Sequence, residues 1–161
     1  MQQVFQERNI MGFFDKLKSV VNAVTGGAAT VTIQLQQACV FPGDSVDIKI
    51  TATSSGAEVK SKGVYVDVFA EERVSIKDES SKEEINRSVT TTKQTIQIAP
   101  AFVLAPNETK SFEGSFQFPS DVLPTFAGSL CQHVCQIRGR IEAFGNDPDS
   151  GYQVINVGAK R

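Results

Sequence analysis

Two thiols and an imidazole occupy alternate positions in SLCQHVCQIRGRIEAF, residues 129–144. Cys131, His133 and Cys135 read as C-x-H-x-C, and His133 is the only histidine in the chain. Such groups could ligate zinc, form a thiol nucleophile with its imidazole base, or simply line the inward face of a strand. Parity favours the last. Positions 131, 133 and 135 continue the series Ile137, Gly139, Ile141 and Ala143, while Arg138, Arg140 and Glu142 alternate outward. In an extended strand, residues two apart are separated by ~7 Å and residues four apart by ~13 Å. A disulfide between Cys131 and Cys135 is then out of reach, since it needs Cα atoms within roughly 7 Å. One zinc ion, with ligands at ~2.0–2.3 Å, is poorly served by successive positions on one strand face. The third cysteine, Cys39, is remote in sequence and offers no fourth ligand.

Other candidates carry less. Carboxylates are paired at Glu71–Glu72, Glu83–Glu84 and Asp147–Asp149, but acid–base work needs a desolvated pair in a cleft, and Glu83–Glu84 lies in a charged stretch. NDPDSG at 146–151 resembles a fragment of a calcium loop without the twelve-residue ligand pattern, and is read as a turn. Gly26–Gly27 lacks the lysine and Ser/Thr of a P-loop, and G-x-S-x-G, H-E-x-x-H and dinucleotide fingerprints do not occur. The expectation is a protein that is not an enzyme, with no catalytic residues, metal ligands or cofactor.

FFDKLKSVVNAV (13–24) places Phe13, Phe14, Leu17, Val20, Val21 and Val24 on one stripe, the period of an amphipathic helix. Gly26 and Gly27 end it. Beyond them the period becomes two. Val31, Ile33 and Leu35 alternate with Thr and Gln, and Val46, Ile48 and Ile50 with Asp47 and Lys49. Val64, Val66 and Val68 face away from Tyr65, Asp67 and Phe69. TIQIA (95–99), KSFEGSFQF (110–118), CQIRGRIEAF (135–144) and YQVINV (152–157) complete about seven half-buried strands. With turn signals between them, this is the pattern of an all-β antiparallel sandwich of about seven or more strands preceded by one helix. FPGD suits a type II turn, with Pro42 and Gly43 at its centre. Residues 77–88, KDESSKEEINRS, are read as a solvated loop or hairpin tip.

The 161 residues suit one domain with a real core. A net charge of −2 with scattered Lys and Arg argues against nucleic-acid binding. Three cysteines without framework spacing fit a reducing compartment. Without a secretory pattern or a run of ~20 apolar residues, the expected location is the cytoplasm. Met11 offers a second start, which would leave residues 1–10 as an N-terminal extension.

CVFPGDSVDIKITAT (39–53), followed by KGVYVDVFAEE (62–72), resembles the opening strands of arrestin-like domains. FQFPSDVLPTFAG (116–128), running into IRGRIEAF, is similar to the arrestin-type approach to a late strand. MGFFDKLKS (11–19) is similar to the start of bacterial sporulation-control proteins, which are arrestin-like. The resemblance covers about residues 11–145 and implies a non-enzymatic adaptor or regulatory scaffold. The length leaves room for one arrestin-type sandwich, not two. No residues matching the phosphate-sensing charged core of visual arrestins are found.

The expected organisation is therefore an extension (1–10), a helix with its Gly-Gly linker (11–27) and an arrestin-like, immunoglobulin-like sandwich (28–161). Its partners would be proteins, with at most weak membrane association and with sheet edges able to pair two copies. The contact residues would be Phe13, Phe14, Leu17, Val20 and Val21 on the helix, and Lys77, Asp78 and Glu79 in the charged stretch. A rival reading is a sandwich binding lipid or a small ligand through a mouth lined by Phe102, Phe112, Phe116 and Phe126. An apolar cavity of ~300 Å³ or more would favour it.

Overall fold

The computed structural model describes residues 27–159. Nine strands occur among them: β1 Ala29–Leu35, β2 Cys39–Val40, β3 Ser45–Ser54, β4 Val59–Lys77, β5 Glu84–Leu104, β6 Thr109–Gln117, β7 Phe126–Ala127, β8 Cys131–Ala143 and β9 Gln153–Val157. They form two sheets. The smaller has the order β1-β3-β6, and the larger β2-β9-β8-β4-β5 with β7 added beside β8. Every pairing is antiparallel except the short β2–β9 contact.

The alternation explains how the sheets meet. Val31, Ile33, Val46, Ile48, Ile50 and Ala52 project from the small sheet onto Val64, Val66, Val68, Ala70, Cys135, Ile137 and Ile141 of the large one, all of them buried. Gly139 occupies the tightest point. A Cβ there would lie 3.1 Å from Ile50 Cγ1 and 3.3 Å from Ile33 Cβ, so the missing side chain sets the approach of the two sheets. The FPGD turn forms as expected. Asp44 N–H donates to Phe41 O at 3.0 Å, and Gly43 takes φ +84°. The segment after β6 folds over one end of the core, burying Phe118 and Val122.

Residues 77–88 take the second of their two expected forms, an exposed hairpin tip, with strand reaching further into the stretch than a loop would allow. β4 continues to Lys77 and β5 begins at Glu84, so only 78–83 turn the chain. The two strands run 19 and 21 residues, longer than the strands that cover them. Burial on β4 ends at Ala70, and the hairpin beyond it overhangs the small sheet. An exposed strand needs no apolar alternation, which is why the charged stretch hides its own strand ends. The expected helix, with Phe13, Phe14, Leu17, Val20 and Val21, lies outside the described residues.

Candidate functional site

Cys131, His133 and Cys135 do share the inward face of β8, but they do not converge. His133 is buried, and both ring nitrogens are engaged. Nδ1 donates to Pro124 O at 3.0 Å, and Thr91 Oγ1 lies 2.7 Å from Nε2. Thr91 reaches the ring because the β4–β5 register shifts between Ala70 and Glu71, where Thr90 and Thr92 take consecutive partners and Thr91 is the extra residue. Phe126 stacks on the imidazole at 6.4 Å. His133 thus ties the loop over the core to the base of the hairpin. Burial pushes the Cys135 thiol up to about 12, far from a reactive thiolate. Among the described residues no group of three His, Cys, Asp or Glu side chains could hold a metal ion.

A charged cluster lies on the outer face of the large sheet. Asp67, only 7% exposed, accepts Thr95 Oγ1 at 2.6 Å on Oδ1, and Arg138 Nε at 2.8 Å and Arg140 Nε at 2.9 Å on Oδ2. Arg138 also reaches Asp149 at 3.1 Å and Arg140 reaches Asp147 at 3.5 Å. The guanidinium groups lie over Tyr152 and Tyr65 at 4.7 and 4.8 Å. Burial raises the Asp67 carboxyl. The Thr95 and Arg138 hydrogen bonds and the charges of Arg140 and Arg138 outweigh it, holding the group below its ordinary value. Each arginine bridges Asp67 of the sheet to an acid of the 145–151 turn, so the cluster pins that turn to the sheet. Sequence reasoning placed Asp67, Arg138 and Arg140 outward but did not join them. The available signal was their shared outward parity, and the missing information was the β4–β8 register, Asp67 opposite Arg138.

The overhanging hairpin is the surface without such compensation. Its inner face carries Val74, Ile76, Ile85 and Val89 in line with the core residues of the same strands. Ile76, Ile85 and Val89 are exposed, Val89 to 65%. At the base of the hairpin a cleft of about 470 Å³ is lined by polar and apolar side chains alike, among them Arg73, Val74, Ser75, Asn86, Leu130 and Gln132. Lys77, Asp78 and Glu79 sit at the tip. Ser80 donates its hydroxyl and amide to Asp78 at 2.6 and 2.9 Å, drawing that carboxyl down to about 2. The four phenylalanines of the rival reading do not gather at one site. Phe102 pairs with Phe112 at 4.6 Å, Phe116 is buried beside Phe118, and Phe126 lies on His133. No shared mouth results.

Two facing, largely antiparallel sheets define a β-sandwich, in keeping with the arrestin-like resemblance of the sequence. The family model of the SpoOM protein, Spo0M, matches residues 17–140, and the chain belongs to that family. The crystal structure of Spo0M, sporulation control protein, from Bacillus subtilis is similar in fold, with a TM-score of 0.60 and 22% sequence identity. The match covers 83% of this chain and 50% of that one, so the chain spans about half the length of that relative. No curated protein matches. Among the described residues no helix is long and apolar enough to cross a membrane.

Proposed function

We propose that this protein is a cytoplasmic, non-enzymatic adaptor of the arrestin-like type, acting through protein contacts in sporulation-type or related cellular control. The observation that supports the reading is the uncovered inner face of the hairpin. A sandwich gains nothing from carrying Ile76, Ile85 and Val89 beyond its cover unless something else covers them, and exposed apolar patches mark interaction surfaces. The polar tip around Lys77, Asp78 and Glu79 would form the rim of the contact, and the stripe Phe13, Phe14, Leu17, Val20 and Val21 a second docking element. Family membership supports the biological setting.

The test is a crosslinked pull-down from host cytoplasm with three baits: the full chain, the full chain with Ile76→Ser and Ile85→Ser, and the chain lacking residues 1–26. Each bait is first shown to be monodisperse and to melt cooperatively. Specific proteins recovered by the first bait and lost from the second support the hairpin face as the contact. Loss from the third bait alone transfers the role to the N-terminal stripe. Equal recovery by all three overturns both contact assignments, and no recovery above background overturns the adaptor reading.

A further inference from the structure

β5 is the terminal strand of the large sheet, and its free edge is protected unevenly. Towards its C-terminal end, Pro100 removes one donor, Gln97 Nε2 reaches Ala99 O at 3.3 Å and Lys110 Nζ reaches Val103 O at 2.6 Å. Phe102 also leans on Phe112 of β6. Towards its N-terminal end, Arg87 Nη1 reaches Asn86 O at 3.1 Å. Between Ser88 and Ile96, no side chain among the described residues bonds to the β5 main chain. This stretch reads SVTTTKQTI, rich in β-branched residues, with one charge and no proline or glycine. Such an edge, continued to Glu84 once the exposed Arg87 side chain releases Asn86 O, is a template for strand pairing.

We propose that the occupant of this edge is a second copy of the chain, joined by antiparallel β5–β5 pairing about a two-fold axis at Ser88. Side-chain faces and charge select this register. Glu84, Asn86, Ser88, Thr90 and Lys93 lie opposite Lys77, Ser75, Arg73, Glu71 and Phe69 on the outer face. Ile85, Arg87, Val89 and Thr92 lie opposite Ile76, Val74, Glu72 and Ala70 on the inner face. With the dyad at Ser88, Arg87 of one copy meets Val89 of the other, and Asn86 meets Thr90. The extra residue of the bulge, Thr91, then advances the register by one, so that Ile85 meets Thr92 and Glu84 meets Lys93. Every pair shares a face, as antiparallel strands require. The two charges at the ends pair with opposite charges, twice by symmetry. Moving the dyad to Arg87 opposes two guanidinium groups. Moving it to Val89 sets Lys93 against Asn86 and leaves Glu84 without an ionic partner.

The residues from Glu84 to Thr90 are all exposed, so a second sheet edge can approach this half of β5. The pairing uses up the edge in both copies and closes as a dimer rather than a filament. An edge contact of about ten residues is small, so the dissociation constant is expected on the order of tens of micromolar. This inference does not depend on the adaptor reading.

Sedimentation velocity on the full chain from ~1 to ~500 µM measures the dimer. Glu84→Lys and Lys93→Glu, each alone, place like charges at both ends and are expected to weaken it about tenfold or more. The double variant restores opposite charges and is expected to recover to within about threefold. Both positions lie at the surface, and unchanged melting curves verify the fold. In a Cys39→Ser, Cys131→Ser background, Ser88→Cys should form an intermolecular disulfide under mild oxidation, because only a residue on the dyad faces its own copy, while Asn86→Cys should not. A chain monomeric throughout the range, single variants that dimerise like wild type, a double variant that stays as weak as the singles, or equal crosslinking at both positions would each overturn the proposal.

Discussion

Replacing Asp67 with Asn tests the charged cluster most directly. The substitution preserves shape and leaves an oxygen for Thr95, but removes the oxygen that accepts Arg138 Nε and Arg140 Nε at 2.8 and 2.9 Å. Two charge-assisted hydrogen bonds at ~1.5–3 kcal/mol each set an upper bound of roughly 3–6 kcal/mol. The arginine side chains are 29% and 16% exposed and keep Asp149 and Asp147, so solvent and the remaining acids recover part of this. The expected loss is about 2–4 kcal/mol at pH 7. Asp147→Asn, at the exposed end of a 3.5 Å contact, should cost under about 1 kcal/mol and serves as the control. The pH dependence follows from the sign of the shift. The folded Asp67 carboxyl lies below its ordinary value, so its stabilisation is complete above the unfolded pKa and is lost as pH falls through the folded one. Urea unfolding of wild type and variant should therefore show a gap that is constant above pH ~5 and narrows below pH ~4. If Asp67→Asn costs no more than Asp147→Asn, or the gap does not change with pH, the cluster does not hold the turn as described.

Three further outcomes are expected. Gly139→Val forces branched carbons onto Ile50 and Ile33 and should lower stability by about 1–3 kcal/mol in thermal or urea melts, with Gly139→Ala costing less; an unchanged midpoint for the valine variant would refute the tight approach. Thr92 Oγ1 is buried with no hydrogen-bond partner among the described residues, so Thr92→Val, matched in shape, should raise stability by about 1 kcal/mol, and a loss of that size would show that the hydroxyl is satisfied after all. Alkylation of the native protein at pH 8, read by peptide mass, should label exposed Cys39 and spare Cys135 until denaturant is added, and equal labelling rates would contradict the burial that raises its thiol.

The inward faces of the strands were legible because half-buried strands advertise a period of two. Val64, Val66 and Val68 against Tyr65 and Asp67 is such a case, and the same parity correctly turned His133 and Cys135 inward. The Pro42–Gly43 turn was legible because local backbone chemistry alone determines it. The hairpin tip was legible as one of two forms, but how far its strands extend was not, because Lys77 and Glu84 to Ser88 are held by backbone pairing with little burial, and charged residues suit an exposed strand as well as a loop. The Asp67 cluster and the dispersal of the four phenylalanines depend on which distant strands become neighbours, and no local pattern encodes that. The bulge that lets Thr91 meet His133 was hidden for the same reason.

The order of strands in the large sheet has a consequence for synthesis. β8, at the middle of that sheet, is made late, and it pairs with β4, whose last residue is Lys77. While a ribosome adds the intervening residues and β8 itself, at ~5–20 residues per second, the second edge of β4 waits for several seconds without its native neighbour. During that interval β4 and β5 can zip into a local hairpin, but the sandwich cannot close. The core-facing valines of β4 are then open to any strand that passes. The nascent chain is therefore most vulnerable to mispairing along a strand whose two edges are both paired once folding ends, and a chaperone that delays collapse until residue 143 has emerged would protect it most.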